Sequence, residues 1–259
     1  MTAPYDRTIV PVAEGDGWLI VAKPPRVLVH RNKMFPRTDA MLQRVRDHVG
    51  DHVYPIHRLD RNTSGCLLFA TRRELAGPLS SCLGAADARK TYVCLVRGAF
   101  EAEGEVTVET PMKVSEDVYK DACSVVDRLG FSHDPRSSLL RVRPKTGRYH
   151  QVRRHVRDLH HPIIHDGDHG DSRVNRWWRE NRGVTRLSLH CLHMEIPNPH
   201  GGRIHATCPL FQDLADVWSA LPYWDEAVAI EPALAWPALT VPEAQDEPQT
   251  RNPVTSPVT

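Results

Sequence analysis

No stretch of this chain approaches the roughly 18 consecutive apolar residues that a membrane-crossing helix requires, so no membrane span is expected. The opening residues, MTAPYDRTIVPVAEGDG, lack a basic start followed by an apolar run, and no secretory signal is expected from them. Six cysteines (Cys66, Cys82, Cys94, Cys123, Cys191 and Cys208) are scattered with no C-x-x-C pair. In a chain of 259 residues that usage reads as reduced thiols in a cytoplasmic protein. Fifteen histidines are present, yet no H-E-x-x-H occurs. The run His160-His161 with His165-Asp166-Gly167-Asp168-His169 also misses the H-x-H-x-D-H spacing of a metallohydrolase. No metal site is expected.

A strong charge excess is missing too: the net charge is +1. Its distribution is less even. From Tyr223 onward lie six of the 32 acidic residues and one of the 33 basic ones, leaving residues 1–222 at about +6. The positive charge concentrates in Arg141–Arg157, a stripe compatible with RNA contact, although most charge runs are merely solvated faces.

What is present suffices for a core, with 41 % apolar and 25 % charged residues. Trp18–Lys23 (WLIVAK) reads as a strand closed by Pro24-Pro25, and Gly65–Ala70 as a buried strand. Asp39–Val49 has helical spacing, with Asp39 as N-cap and Gly50 as stop. A second helix over Arg72–Leu83 is expected to be interrupted at Gly77-Pro78. Strands are expected at Thr91–Val96, Glu105–Glu109, Ser137–Val142 and Leu187–Ile196. Helices are expected at Thr146–His160 and Phe211–Leu221, the first placing Val152, Val156 and Leu159 on one side of a basic helix. The fold class is therefore α+β: a mixed, largely antiparallel β-sheet with flanking helices. One domain is expected over residues 6–222, followed by an acidic, proline-rich tail over 223–259 that is expected to be flexible. No internal repeat is apparent.

The most informative stretch is His57-Arg58-Leu59-Asp60-Arg61-Asn62-Thr63-Ser64-Gly65, which runs into the strand CLLFA. A polar loop entering a buried strand holds one acid rigidly at a cleft edge. Taken alone, Asp60 reads equally as a surface ion-pair partner of Arg58 or Arg61. The nine-residue string as a whole resembles the catalytic motif of the RluA family of pseudouridine synthases. Other segments match that family in order. They are Lys23-Pro24 with Val29-His30, Lys90-Thr91-Tyr92 leading to Val96-Arg97-Gly98, Thr146-Gly147-Arg148-Tyr149-His150-Gln151-Val152-Arg153-Arg154-His155, and His161-Pro162-Ile163-Ile164 with Asp166 and Leu189-His190. Together they span roughly residues 16–210.

The resemblance implies an isomerase that breaks the N1–C1′ bond of uridine, turns the base and joins C5 to C1′. Such a reaction exchanges no electrons, so no cofactor is expected. Asp60 is implied as the carboxylate that attacks C1′, adds to the base or removes the C2′ proton; sequence does not choose among these. Arg153 is implied as the ion-pair partner that holds Asp60 charged and oriented. Tyr92 is implied to pack on the uracil and assist at C5, where the plain alternative is a core tyrosine. Arg58 is implied to fill the space of a flipped-out nucleotide, the alternative being a surface arginine. RNA contacts are also expected from His57, Lys23, Arg148, His150, Arg154 and Arg157. The amides at Thr146 or Gly147 are expected to suit a phosphate.

The combination PKTGRxHQxRRH…HPII…HGDxRxNR is similar to the family subgroup that acts on uridine 65 in the T-stem of transfer RNAs. The absence of a separate RNA-binding domain ahead of Trp18 fits that subgroup. The expected partner is tRNA, read by shape and backbone, and the chain is expected to act as a monomer. An rRNA-directed enzyme of the same family, or a non-catalytic RNA binder with this fold, are the alternatives. Two positions depart from the family: Pro25-Arg26 stands where a small residue and Gly are usual, and His165 replaces the Gly before Asp166. Trp177–Gly183 is a Trp-rich insertion whose two indoles suit core packing better than RNA stacking.

Overall fold

The computed structural model describes residues 7–31 and 33–240. The first half of the chain supplies β1 (Pro11–Gly15), β2 (Trp18–Lys23), α1 (Met41–Val49), β3 (Tyr54–Pro55), β4 (Ser64–Ala70), α2 (Arg73–Leu83), β5 (Arg89–Arg97) and β6 (Glu105–Val108). A small hairpin follows, β7 (Met112–Ser115) with β8 (Val118–Lys120), then β9 (Ser124–His133) and β10 (Arg136–Pro144). The rest comprises α3 (Gln151–Asp158), α4 (Ser172–Arg182), β11 (Leu189–Pro197), β12 (Arg203–Thr207), α5 (Gln212–Ser219), α6 (Trp224–Ile230) and a 3₁₀ turn at Pro232–Ala235.

Ten strands form one sheet in the order β1-β2-β4-β11-β5-β10-β9-β6, with β12 added to β11 and β3 to β4. Only the β4–β11 contact is parallel, so the sheet is mixed and largely antiparallel. That parallel contact depends on Gly65, which has φ +116° and whose added Cβ would collide with the Cys191 carbonyl. β2 and β4 are buried along their whole lengths, as continuous apolar runs covered on both faces should be. β5 alternates instead: Tyr92, Cys94 and Val96 face one core, Val93 and Leu95 the other. The second core is closed by Trp178 of α4 and by Leu214 and Trp218 of α5. No helix among the described residues is long and apolar enough to cross a membrane.

Four local expectations are corrected. Ala40, not Asp39, is the N-cap of α1 and makes no side-chain cap; the Asp39 carboxylate pairs with Arg44 at 2.6 Å instead. α2 continues through Pro78 because the proline sits on the exposed side, where the carbonyl it strands reaches water, while Leu75 and Leu79 anchor the buried side. The basic helix begins at Gln151 rather than Thr146. Its expected first turn is occupied by the Gln151 side chain, whose Oε1 accepts from the Thr146 hydroxyl (2.7 Å) and the Arg148 amide (2.9 Å). The Thr146 and Gly147 amides expected to suit a phosphate therefore lie ahead of the helix rather than at its first turn.

The tail expected to be flexible from residue 223 is folded as far as residue 240. Tyr223, Ala227 and Leu234 are buried against the sheet, and Pro232 opens the 3₁₀ turn, a position where its missing N–H costs nothing. The Tyr223 hydroxyl meets Ser137 Oγ at 2.8 Å. Glu231, read as part of an acidic tail, accepts from His193 at 3.1 Å and lies 3.5 Å from Arg141. Residues 241–259 of the expected tail lie outside the described residues.

Candidate active site

The loop between β3 and β4 carries Asp60, and the chain fixes it from below. Leu59 is buried beneath it, and the Thr63 amide donates to the Asp60 carbonyl at 3.1 Å. Lys23, at the end of β2, donates from Nζ to the carbonyls of Arg61 (3.0 Å) and Pro24 (2.8 Å). Burial pushes its ammonium well below the usual lysine range, as does nearby Arg186, and only the charge of Asp60 pulls strongly the other way. Because Lys23 is 0 % exposed, the RNA contact expected of it is corrected to an internal clamp on the Asp60 loop. His57 is likewise turned inward. Its Nε2 accepts from the Leu68 amide at 3.2 Å, and burial, then the charge of Lys90, holds the ring to about 3. His57 still lines the cavity that holds Asp60, as a neutral ring whose Nε2 is already taken.

Arg153 comes from α3, where Val152 and Val156 bury one side. All five guanidinium N–H groups are used. Nε and Nη2 fork onto Asp166 (2.7 and 2.6 Å), Nη2 also reaches Asp168 (2.7 Å), and Nη1 donates to Asp60 Oδ2 (3.1 Å) and His150 Nε2 (2.8 Å). Burial works against the charge of Arg153, but the hydrogen bonds and charge of Asp166, then those of Asp168, outweigh it and raise its pKa. Asp166 is fully buried; burial opposes its charge as well, yet Arg153 and the amides of His169 and Asp168 hold the carboxyl below the usual range. The fork fixes the plane of Arg153, and through Nη1 the position of the Asp60 carboxylate.

His150 precedes α3 with φ 53°. Since Arg153 can only donate, His150 Nε2 must be an acceptor, so the proton sits on Nδ1 and is donated to His169 Nε2 at 3.0 Å. Burial lowers the His150 pKa, in keeping with that neutral form, although Asp60 lies 3.7 Å from Nε2. Tyr149 stacks on its ring at 3.7 Å.

Asp60 stands between two cavities. One, of about 430 Å³, is lined by Asp60, Tyr92, Arg58, Arg148, Val152 and Leu189; the other, of about 310 Å³, by Asp60, Arg58, Arg61, His30, His165 and Asp168. Both are near the size at which small-ligand sites begin. Burial, then Cys191, pushes the Tyr92 phenol well up, and the charge of Asp60 adds to the shift. Tyr92 therefore faces the cavity as a neutral hydrogen-bonding group.

Of the residues expected to touch RNA, Arg58 is exposed and Arg148 half-buried at the cavity mouth, with Arg148 Nε held to the Asp121 carbonyl at 3.0 Å. His150 is inside the site, and Arg154 is half-buried on α3. Arg157 is not at this site: it pairs with Asp158 at 2.6 Å and lines a different depression. Sequence reasoning missed the work of Asp166, Asp168 and His169, which entered only through a failed metal cluster and, for Asp166 and His169, as letters of the family strings; nothing in their spacing names Arg153 as their partner. The two departures from the family pattern also find an explanation. Arg26 (φ 66°) and His165 (φ 62°) both adopt the left-handed backbone for which glycine is the usual residue.

Comparison with known proteins agrees with this geometry. The model of the family described as RNA pseudouridylate synthase matches residues 17–158. Proteins named tRNA pseudouridine synthase C from Vibrio vulnificus, Pasteurella multocida and Vibrio cholerae are 36 %, 39 % and 33 % identical to this chain. The matched regions cover 73 %, 71 % and 83 % of this chain and 85 %, 84 % and 96 % of those proteins. Human RNA Pseudouridylate Synthase Domain Containing 1 superposes with a TM-score of 0.64 at 21 % identity, over 92 % of this chain and all of that one, and so shares the fold. With the motif, the sheet and the family match in agreement, this chain belongs to the RNA pseudouridylate synthase family, isomerases that turn uridine in RNA into pseudouridine.

Proposed function

We propose that the chain acts on transfer RNA, at uridine 65 of the T-stem, with Asp60 as the reacting carboxylate. The observation that carries the catalytic half of this reading is the Asp60–Arg153 pair at 3.1 Å, on the wall of a cavity that also holds Tyr92. A stem uridine must leave its helix to reach a pocket of that size, at a cost of a few kcal/mol. Arg58, exposed at the mouth, takes the vacated place. In the pocket the N1–C1′ bond breaks, the base turns, C5 bonds to C1′, the C5 proton leaves and N1 takes up a proton. Arg153 holds one oxygen of Asp60, so the carboxylate meets the ribose in a single orientation. Tyr92 is protonated in the free enzyme, so assistance at C5 requires an acceptor for its proton, and Asp60 on the same wall fits that task.

The transfer-RNA reading rests on the relatives named tRNA pseudouridine synthase C and on the sequence resemblance to their subgroup. Mapping pseudouridine in total RNA from cells with and without this protein tests it. The expected result is loss of modification at the T-stem uridine of a set of transfer RNAs. Loss confined to ribosomal RNA overturns the substrate assignment while leaving the chemistry intact.

A further inference from the structure

A depression of about 890 Å³ lies at the other end of β5 from Tyr92, between the β9–β10 connection, the end of α3 and α4. Tyr92 and Arg97 are five residues apart on β5, so the two sites are separated by about 17 Å at roughly 3.3 Å per residue. Arg97, Arg136 and Arg157 line the depression with three histidines, against the single lining carboxylate Asp134. Arg136 is exposed with no ion-pair partner among the described residues, and Arg97 reaches Asp171 only at 3.4 Å. On one wall stands Trp177, 43 % exposed, edge-on to Trp178 at 5.5 Å.

The two adjacent tryptophans thus have opposite situations. Trp178 is 2 % exposed and anchors α4 in the core; Trp177 offers an indole to water on the groove that Arg136 also lines. The exposed side of α4 adds Arg173 and Arg176. Guanidinium groups bind phosphate oxygens, and an exposed indole is a stacking surface for any base. α4 is also mounted on the loop that clamps Arg153: Asn175 Nδ2 donates to the Asp166 carbonyl (2.9 Å), and its Oδ1 accepts from the His165 amide (2.7 Å).

We infer that this groove is a second nucleotide-binding site, in which an unpaired nucleotide of the substrate RNA stacks on Trp177 with its phosphates on Arg136 and Arg157. The inference rests on the RNA-isomerase reading and deepens it. A separation of about 17 Å corresponds to roughly half a turn, about five to six base pairs, of an A-form RNA duplex. The groove therefore takes an unpaired nucleotide at the end of the stem that carries the target, and the enzyme measures the distance from that end to the uridine it modifies.

The test uses hairpin RNAs with the target uridine five base pairs from the loop, one with a natural loop and one with an abasic loop. Both binding and steady-state conversion are measured. With the natural loop, Trp177→Ala raises KM about tenfold and leaves kcat unchanged, Trp177→Phe restores most of the loss, and Arg136→Ala raises KM severalfold. With the abasic loop, wild type and Trp177→Ala share the same KM. Equal losses on both RNAs, or no loss on either, overturn the inference. So does self-association of the free protein that depends on Trp177 without any effect on RNA. Wild-type binding that depends on Trp177 and the loop, with no pseudouridine formed, supports the groove and overturns the isomerase reading. Unchanged thermal melting of Trp177→Ala, expected for an exposed residue, shows that the variant folds.

Discussion

The two ends of α3 hold arginines of opposite character. At its start Arg153 is 6 % exposed and every N–H has an acceptor; one turn later Arg157 is exposed and folds onto its own neighbour, Asp158. Both are products of one basic stripe in the sequence. The difference is what faces them: Arg153 meets the Asp166–Asp168 loop and Asp60, whereas Arg157 meets a depression open to water. A buried arginine with all donors used sets an orientation, and an exposed one contributes affinity that salt screens.

That contrast breaks most readily at Arg153. Arg153→Lys keeps the charge but loses the fork, so conversion should fall at least a hundredfold and stability by about 3 kcal/mol, since a single ammonium cannot make both hydrogen bonds that buried Asp166 receives. Single-turnover rates and chemical denaturation check both numbers. Arg157→Ala should change the rate less than about threefold and stability by less than about 0.5 kcal/mol. If the two variants behave alike, the distinction between the two ends fails.

Tyr92→Phe sharpens the comparison on the cavity side, because it removes the hydroxyl and keeps the ring. A fall in kcat of about ten- to a hundredfold with little change in KM is expected if the phenol takes part at C5. Unchanged turnover would reduce Tyr92 to packing.

How much of this was legible beforehand follows the same division. Asp60 and Arg153 could be placed together because the strings around them resemble a known family; composition and spacing alone left Asp60 as a surface ion pair. The apolar strands at Trp18–Lys23 and around Gly65–Ala70 were legible because they are buried throughout. The folding of Tyr223–Thr240 was not, because its few apolar residues are buried by tertiary contact with the sheet rather than by a periodic pattern of their own. Lys23 was misread for a related reason: the resemblance placed it among the RNA contacts, and only the path of the Arg61 carbonyl gives it an internal partner. β9 escaped notice since its apolar residues are interrupted by Asp127 and Arg128, which find partners across the sheet in Arg141 and Phe100.

The core makes a pH prediction of its own. His190 is wholly buried between Ser64 Oγ (2.9 Å) and the Cys208 carbonyl (2.9 Å), and burial lowers it to about 3. Its folded pKa lies below its unfolded one, so the unfolded chain takes the proton first. Its contribution is complete above pH 6.5 and is lost at about 1.4 kcal/mol per pH unit as the pH falls toward 3. Denaturation between pH 7 and 5 should show a slope that His190→Gln makes shallower by that amount; an unaltered slope would place the titration elsewhere. A small gain is expected where glycine has been replaced. Arg26→Gly and His165→Gly should each raise stability by up to about 1 kcal/mol by relieving left-handed backbone, read as a rise in melting temperature of a few degrees.

The most direct test of the central claim is single-turnover conversion of a uridine-containing T-stem RNA by Asp60→Asn, with RNA affinity measured in parallel. The substitution preserves the size of the side chain and removes its charge. Conversion should fall by about a thousandfold or more, the scale typical of losing a nucleophile, while affinity stays within a few-fold of wild type. Turnover near the wild-type rate would contradict a reacting carboxylate at position 60.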